Sequence, residues 1–262
     1  MSNNLATGFI NENVKPSQTH QTVTQSEWLE ARKKLLIKEK QLTRLHDEIA
    51  KARLELPWVK IQKNYTFNSP DGTVGLSDLF DGRSQLIVQH FMFGPNDAEG
   101  CVGCSFGADS IDGMLAHLEN NDVSITAISR APLAKLNAYK KRMGWKFNWV
   151  SSEHSDFNYD FNASFRPVDL AKGNIIYNYE TIENPSIHWE DLPGISVFYK
   201  DENGEIYHTY SAYARGTEFL ATAFDYFDVT PLGRKPGDLS KYIKRHDSYS
   251  KMNSDSSCCS SK

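Results

Sequence analysis

Two cysteines three positions apart are the residues of this chain best suited to covalent chemistry. Cys101 and Cys104 form a C-x-x-C pair, and only two other cysteines, Cys258 and Cys259, occur in the 262 residues. A β-type run at 85–93 leads into the pair through a loop with glycine and proline, and a helical pattern follows it. At the start of a helix, free N–H groups and the helix dipole favour a thiolate over a thiol. This order predicts a dithiol–disulfide site in which Cys101 attacks and Cys104 resolves the mixed disulfide.

Three further side chains are candidates for the same site. His90 lies on the strand that leads to the cysteines, and an imidazole titrates near neutral pH, so it is a candidate proton acceptor for Cys104. The alternative is a core histidine whose ring nitrogens are satisfied by hydrogen bonds. Arg130 and Arg215 follow strands and are candidate substrate contacts, because open α/β sheets bind ligands at that edge. Ion pairing at the surface is the alternative for both arginines.

The composition indicates which cellular compartment and which classes of partner to expect. The hydrophobic share of 39% is ordinary for a globular protein, and a net charge of -4 gives no reason to expect nucleic acid or an anionic membrane as partner. No apolar run approaches the roughly 20 residues that span a bilayer, and the polar N-terminus lacks the apolar core of a secretory signal. Four cysteines are too few for a disulfide-stapled secreted domain. We therefore expect a cytoplasmic protein without a cofactor, whose partner is a substrate disulfide or a small-molecule thiol.

The chain divides into four predicted segments. These are a disordered arm at 1–23, an N-terminal helix at 24–56, a main domain at 57–237 and a disordered tail at 238–262. Polar composition predicts the arm and the serine-rich tail, and a capping box that starts at Thr24 predicts the beginning of the helix. The adjacent cysteine pair in the tail is expected to have no role, because neighbouring cysteines form a strained ring and oxidise poorly.

The N-terminal helix carries an apolar stripe. Trp28, Leu35, Leu42 and Ile49 recur at intervals of seven, which places them on one helix face. Lys38 interrupts the stripe, which argues against a long independent coiled coil. We expect the stripe to pack on the main domain, with a solvated basic face outside. The alternative is a helix that binds a partner or forms a homodimer.

The main domain alternates strands and helices and then ends in a hairpin and a helix. Such alternation predicts parallel strands with right-handed crossovers, and the turn signal Asn203-Gly204 predicts an antiparallel hairpin. In chain order the predicted elements are a hairpin at 65–76, a strand at 85–93, a helix after Cys104, a strand at 123–128, a helix at 132–143, a strand at 145–149, an insertion at 151–192 near the active site, a hairpin at 195–211 and a helix near 220–227. This order resembles the thioredoxin fold. It predicts an α/β protein with a thioredoxin-like mixed sheet flanked by helices, an added N-terminal helix and an insertion before the final hairpin.

Eight short segments carry a closer resemblance. They are 89–94, 100–106, 129–132, 141–145, 156–161, 193–198, 208–216 and 228–234. Together they resemble the domain-of-unknown-function 899 family, thioredoxin-like proteins described as predicted dithiol–disulfide oxidoreductases. The resemblance implies a thioredoxin-like fold and a redox-active cysteine pair, and it names no substrate.

Comparison with the wider superfamily adds one candidate and two departures. Pro193 precedes a buried strand and, by resemblance to thioredoxins, is a candidate cis-proline facing the cysteines; an ordinary trans proline is the alternative. Thioredoxins have Trp before the first cysteine and Gly-Pro between the two. Here Gly100 precedes the pair and Val102-Gly103 separates it, so the redox potential need not be that of a thioredoxin. Ala98 stands where peroxiredoxins need Thr or Ser, which argues against a standard peroxidase.

Two other functions remain open beside a dithiol–disulfide oxidoreductase. Cys101, Cys104 and His90, or another histidine, are the residue types that bind copper or zinc, although no second C-x-x-C completes a structural zinc site. The third possibility is a non-catalytic protein that binds a partner through its basic N-terminal helix.

Overall fold

An eight-stranded mixed sheet organises the part of the chain that the structure describes. The structure is a computed structural model and describes residues 20–235 and 242–249. Most of the predicted arm, together with Cys258 and Cys259 of the predicted tail, lies outside the described residues. Within these two ranges, no helix is both long and apolar enough to cross a membrane.

The described residues form a large sheet, a small sheet and flanking helices. The strands are β1 (Val59–Lys60), β2 (Thr66–Ser69), β3 (Gly72–Gly75), β4 (Gln85–His90), β5 (Val123–Ser129), β6 (Asn148–Ser151), β7 (Asn174–Tyr177), β8 (Glu180–Glu183), β9 (Gly194–Lys200) and β10 (Ile206–Tyr213). The helices are α1 (Gln25–Leu54), α2 (Val102–Ala108), α3 (Leu115–Asn120), α4 (Leu133–Met143), α5 (Phe157–Asp160), α6 (Pro167–Leu170) and α7 (Ala223–Asp228). Short 3₁₀ turns occupy Leu76–Phe80, Ala214–Leu220 and His246–Ser248.

The large sheet has the strand order β1-β10-β9-β4-β5-β6-β2-β3. β4, β5 and β6 are parallel, and helices fill the crossovers that parallel neighbours require. The β9–β10 hairpin continues the sheet antiparallel on the other side of β4. This confirms the predicted α/β class with a thioredoxin-like mixed sheet. The predicted insertion contains α5, α6 and the two-stranded β7–β8 sheet, so it is more regular than expected.

β4 and the residues that follow it are covered on both sides, as expected for a central strand with apolar residues on both faces. Phe91, Phe93 and Cys104 belong to a cluster on one side, which we call the cysteine-side core. Leu86 and Val88 belong to a cluster on the other side, which we call the opposite core. The side to which a residue of this strand points therefore decides whether it can reach the cysteines.

The strand predicted at 85–93 ends at His90, and the last helix begins at Ala223. Two further boundaries differ from the prediction where side chains bond to distant backbone or side-chain groups. The helical face predicted after Cys104 is divided into α2 and α3 by turns. In these turns the Asp109 carboxylate accepts a hydrogen bond from the Trp145 indole at 2.8 Å. The Asp112 carboxylate accepts hydrogen bonds from the backbone N–H groups of Lys146 and Phe147. Since these N–H groups are used in this way, β6 begins at Asn148 and not at the predicted 145.

The N-terminal helix forms as predicted, but it does not pack on the main domain. Thr24 and Glu27 make both hydrogen bonds of a capping box, and the helix ends at Leu54. None of its residues is buried, and Trp28 and Leu42 expose 51% and 55% of their surface. The expectation of packing is therefore corrected: a stripe with heptad spacing shows that a face is apolar, not which surface covers it.

Part of the predicted tail packs back on the domain. Residues 242–249 fall within the segment 238–262, yet Ile243 is only 3% exposed and joins a cluster with Ala221 and Phe224. The composition of the segment is polar, and composition alone predicts disorder. The prediction that the whole segment 238–262 is disordered is therefore corrected for residues 242–249. Ile243 anchors them to residues about twenty positions earlier in the chain.

We predict that deleting residues 1–52 leaves the melting temperature of the main domain within about 2 °C of the wild-type value. The reason is that no residue of α1 is buried, and Arg53, which lies over the Tyr210 ring at 5.1 Å, is retained. Near-UV circular dichroism measures the transition. The control is a deletion of 1–60, which removes β1 from its pairing with β10 and should lower the melting temperature. A large drop with the shorter deletion would contradict an unpacked helix.

Candidate active site

The backbone at the end of β4 positions both cysteines. Cys101 is the N-cap residue of α2, and its N–H donates to the Met92 carbonyl at 3.0 Å. Cys104 lies in the first turn of the same helix and is 6% exposed, whereas Cys101 is half-buried. Position 100 accommodates glycine and disfavours larger residues, because a Cβ there would lie only 2.8 Å from the Phe91 ring. The chain therefore enters the helix in close contact with the cysteine-side core, with the first sulfur facing out and the second facing in.

The thiolate form of Cys101 is stabilised by its neighbours. The Cys104 thiol donates a hydrogen bond to the Cys101 sulfur, and the backbone N–H groups of Cys104 and Gly103 donate to it as well. The positive charge of Arg245 acts in the same direction. Burial opposes these effects but is outweighed, so the pKa of Cys101 falls to about 6. At neutral pH this sulfur is therefore mostly an anion, which is the nucleophilic form.

Cys104 behaves in the opposite way. Its pKa is raised well above the usual thiol value, chiefly because it donates its proton to the Cys101 sulfur and because it is buried. The negative charges of Cys101 and Asp191 add to this increase, while the Met92 N–H lowers the pKa. The reduced pair thus holds one thiolate and one thiol, with the proton on the inner sulfur.

A cleft of ≈ 400 Å³ opens beside Cys101. Its lining includes the charged side chains of Glu99, Arg130, Asp191 and Arg245. Asp191 comes from the insertion that the sequence placed near the active site. A slightly larger cleft of ≈ 430 Å³ lies elsewhere on the domain and is lined by neither cysteine. Of these two clefts, only the cysteine cleft gives a molecule from solution access to Cys101.

Arg130 lines the cleft, but its guanidinium is already paired. Nε and Nη2 of Arg130 donate to the two oxygens of Asp191 at 2.7 and 2.9 Å, and Nη2 also donates to Glu190 at 3.2 Å. Arg130 is 8% exposed, and Asp191 also accepts from the Ser164 hydroxyl. Bidentate pairs of this kind fix geometry. Arg130 therefore fastens the insertion to the end of β5 and shapes the cleft.

Arg245 is a site residue that the sequence analysis missed. Its guanidinium donates to the Gly100 carbonyl at 2.5 and 3.1 Å and to the Tyr139 hydroxyl at 2.8 Å, and it pairs with Glu99 at 2.9 Å. It comes from the segment predicted to be a disordered tail. The available signal was the pair Tyr242-Ile243, which is apolar in an otherwise polar stretch. Arg245 holds the residue before Cys101 and brings a positive charge to its sulfur.

His90 belongs to the opposite core and not to the cysteine site. It is 1% exposed and stacks on Phe157 at 5.7 Å. Its Nδ1 is hydrogen-bonded to Asn158 at 3.1 Å and its Nε2 to Ser196 at 2.9 Å. The prediction of a proton relay to Cys104 is thus corrected to the core-histidine alternative. Burial lowers the pKa of His90 to about 4.

The arrangement of Ser196, His90 and Asn158 has the connectivity of a hydrolytic triad, but it is sealed in the core. Ser196 is 0% exposed, so no substrate reaches its hydroxyl. The hydrogen-bond chain continues from Ser196 to the Ser211 hydroxyl at 2.8 Å and from there to His208 at 2.7 Å. It thereby joins side chains of β4, β9 and β10, which is a structural role.

Pro193 and Arg215 also differ from their predicted roles. No cis peptide bond occurs anywhere in residues 20–235 or 242–249, so Pro193 is an ordinary trans proline. Its carbonyl accepts a hydrogen bond from the Tyr177 hydroxyl at 2.7 Å. Arg215 lies on the Ala214–Leu220 turn, largely exposed, and pairs with Glu218 at 3.3 Å. It does not line the cysteine cleft, and surface pairing is the alternative that the structure supports.

The donors predicted for a copper or zinc site do not converge. Cys104 lies in the cysteine-side core, whereas His90 packs against the opposite core. Within the ranges that the structure describes, no group of three or more His, Cys, Asp or Glu side chains is arranged to hold a metal ion. The metal-binding alternative thus lacks its third ligand.

Comparisons with known proteins identify a family but no activity. A family model described as "Bacterial protein of unknown function (DUF899)" matches residues 17–249. No curated protein matches the chain significantly. Among solved structures, the chain is similar to peroxiredoxin Q from Xanthomonas campestris, at 11% identity over 67% of this chain and 96% of that chain, with a TM-score of 0.41. The peroxidoxin BcpB from Mycobacterium tuberculosis gives 11% identity, 68% and 94% coverage, and a TM-score of 0.40. Likenesses this weak carry no conclusion about activity.

We predict that the Cys101 thiol titrates with a midpoint near the value of about 6 given above, and that it does so in Cys104→Ser as well. Serine retains a hydroxyl that can donate to the Cys101 sulfur, whereas Cys104→Ala removes this donor and should raise the midpoint. Arg245→Gln should raise it too, since the positive charge is lost. The pH dependence of alkylation by iodoacetamide measures all three variants. A midpoint near the ordinary thiol value of about 8.5 in Cys104→Ser would contradict the activated thiolate.

We also predict that His90 makes the fold sensitive to acid. Its imidazole stays neutral down to a pKa of about 4 in the folded chain, but it binds a proton near pH 6.5 in the unfolded chain. The unfolding free energy should therefore fall by about 3 kcal/mol from this group as the pH is lowered from 6.5 to 4.

Urea unfolding at several pH values tests this against His90→Gln, in which the contribution of this group is absent. His208, whose pKa is also lowered by burial, is present in both proteins and adds to the acid sensitivity of each. The rate at which Cys104 releases a mixed disulfide from Cys101 should be the same in both proteins. A slower release in His90→Gln would return His90 to the site as the proton acceptor for Cys104.

Proposed function

We propose that this chain, which belongs to the DUF899 family of bacterial proteins of unknown function, is a dithiol–disulfide oxidoreductase that uses Cys101 and Cys104. The observation that supports this most directly is the division of charge within the pair. The outer sulfur has a lowered pKa and borders a cleft, while the inner sulfur keeps its proton and donates it to the outer one. Thiol–disulfide exchange needs one sulfur that attacks the substrate disulfide and a second that then attacks the mixed disulfide.

In the first step, the Cys101 thiolate attacks one sulfur of a substrate disulfide. The bond between the two substrate sulfurs breaks as the bond to Cys101 forms, and the first substrate thiolate leaves and takes a proton from water. The product is a mixed disulfide between Cys101 and the remaining substrate half. The N–H groups that stabilised the thiolate stay in place around this sulfur.

In the second step, Cys104 displaces the bound substrate half. Its pKa is raised mainly by the proton it donates to the Cys101 thiolate, and a mixed disulfide no longer carries that negative charge. The chief cause of the raised pKa is therefore removed by the first step, and the Met92 N–H still favours the Cys104 thiolate. Cys104 then loses its proton to water and attacks the Cys101 sulfur. The bond between Cys101 and the substrate half breaks, and this half leaves as a thiolate that takes a proton from water. Two electrons have passed from the dithiol to the substrate, and the Cys101–Cys104 disulfide remains.

The proposed setting is the cytoplasm, where a pool of reduced thiols can restore the dithiol form. The proposed partner is a substrate disulfide or a small-molecule thiol that enters the cysteine cleft. Neither step needs a cofactor, because the two electrons pass directly from the cysteine sulfurs to the substrate sulfurs.

We predict that Cys104→Ser accumulates a mixed disulfide on Cys101. The variant retains the activated thiolate and loses the sulfur that would resolve the adduct. Intact-mass analysis after exposure to small disulfides, and after capture from a cell extract followed by identification of the adduct, measures the outcome.

Cys101→Ser is the matched control and should form no such adduct, because Cys104 is buried and protonated. In the wild type the adduct should be transient and should end in an intramolecular disulfide, with a mass decrease of about two hydrogens. If Cys104→Ser fails to form an adduct with any disulfide while its Cys101 remains alkylatable, thiol–disulfide exchange is not the function.

A further inference from the structure

Helix α1 presents an apolar stripe that no described part of the chain covers. The helix is 30 residues long, and none of its residues is buried. Trp28, Leu35, Leu42 and Ile49 form the stripe, and even the least exposed of them, Ile49, shows 39% of its surface. A helix of this kind gains stability only when its apolar face is packed. We therefore expect the stripe to be covered by a surface that is not part of the described fold.

The spacing of the stripe is that of a coiled coil. Taking the four stripe residues as heptad position a, the d positions are Ala31, Lys38, Leu45 and Ala52. A repeat of seven is slightly shorter than two turns of a straight helix, so a seam with this spacing stays in contact only if two helices wind around each other. Lys38 is the one polar residue among these eight positions. It disfavours shifted pairings because a shift by one heptad would place it against Ala31 or Leu45.

The a and d positions form the seam of the coiled coil. The charged residues beside this seam favour pairing with a second copy of the same helix in parallel orientation. In a parallel, in-register pair, each g position faces the e position five residues later on the other helix. These pairs are Glu27 with Arg32, Lys34 with Glu39, Gln41 with His46, and Glu48 with Arg53. Three of the four unite opposite charges. Within a single helix Arg32 and Glu39 contact each other at 2.7 Å, so these two side chains would exchange an intrahelical partner for an interhelical one. The surface that fits the stripe is thus α1 of a second copy of this chain.

The antiparallel arrangement of the same two helices is disfavoured. With the two seams fully overlapped, g faces g and e faces e. Glu27 would then face Glu48, and Arg32 would face Arg53. Like charges at these positions repel and are a known determinant of orientation. A parallel seam also stacks Leu42 on Leu42 and places the two main domains at the same end of the coil.

We propose that α1 pairs with α1 of a second copy of this chain in a parallel, in-register, two-stranded coiled coil, which makes the protein a homodimer. The dimer contact is separate from the cysteine cleft, so this proposal stands or falls independently of thiol–disulfide exchange. The main domain supplies no part of the seam, consistent with the absence of any buried α1 residue against it.

The first test is the molar mass of the full-length reduced chain by light scattering and sedimentation equilibrium. We expect twice 29.7 kDa in the micromolar range. Leu42→Lys places a charge in the seam and should raise the dissociation constant about 100-fold or more. Ile37→Lys is the matched control, because Ile37 is 60% exposed and lies outside the seam, and it should leave the dimer intact. A monomeric wild type, or a dimer equally stable in both variants, would overturn the proposal.

The second test addresses orientation through the pair Lys34 and Glu39. Lys34→Glu should weaken the dimer by setting two glutamates against each other, and the double variant Lys34→Glu/Glu39→Lys should restore it. A carbodiimide cross-link between ¹⁴N-labelled and ¹⁵N-labelled copies should join Lys34 of one to Glu39 of the other. Cross-links that join the start of one helix to the end of the other, or a double variant no better than the single one, would overturn the parallel arrangement.

Discussion

The burial of β4 on both faces is the constraint on which the rest of the site depends. Because successive side chains of an extended chain point to opposite faces, the residues at the end of β4 and directly after it are divided between two separate cores. His90 is directed into the opposite core, and Phe91 and Phe93 into the cysteine-side core. The chain then returns at Cys101, whose N–H bonds to the Met92 carbonyl. One strand thus fixes where the cysteine helix begins and excludes its own histidine from the chemistry.

Around Cys101, short-range hydrogen bonds outweigh the penalty of burial. Taking a thiolate out of water raises its pKa unless donors replace the lost solvation. Here the donors are the Cys104 thiol and the N–H groups of Cys104 and Gly103, which the helix start supplies without any movement. Arg245 adds a positive charge from a segment that is anchored by the buried Ile243 and by the ion pair of Asp247 with Arg142. The same geometry that favours one thiolate disfavours a second, because Cys104 is both buried and next to a negative sulfur.

Local signals in the sequence predicted the local features of the structure. The capping box at Thr24, the order of strands and helices, and the cysteine pair at a helix start all depend on neighbours along the chain. The features that were missed depend on distant contacts. The face to which His90 points follows from the register of β4 in the sheet, and Arg245 reaches the site through burial of Ile243. A periodic stripe predicted α1 but not the surface that covers it.

The insertion is held by a buried ion pair, whose formation costs hydration free energy but fixes the position of the insertion. A buried ion pair gains little stability over apolar packing of the same volume, because both charges lose their hydration. The pair of Arg130 and Asp191 is nevertheless largely buried and bidentate. Asp191 raises the pKa of Cys104, but it does so less than the hydrogen bond to Cys101, burial and the charge of Cys101. The larger effect of the pair is geometric. Asp191 lines the cysteine cleft, and the two hydrogen bonds from Arg130 fix that wall of the cleft relative to the end of β5. An apolar contact would hold the insertion without setting the orientation of this carboxylate.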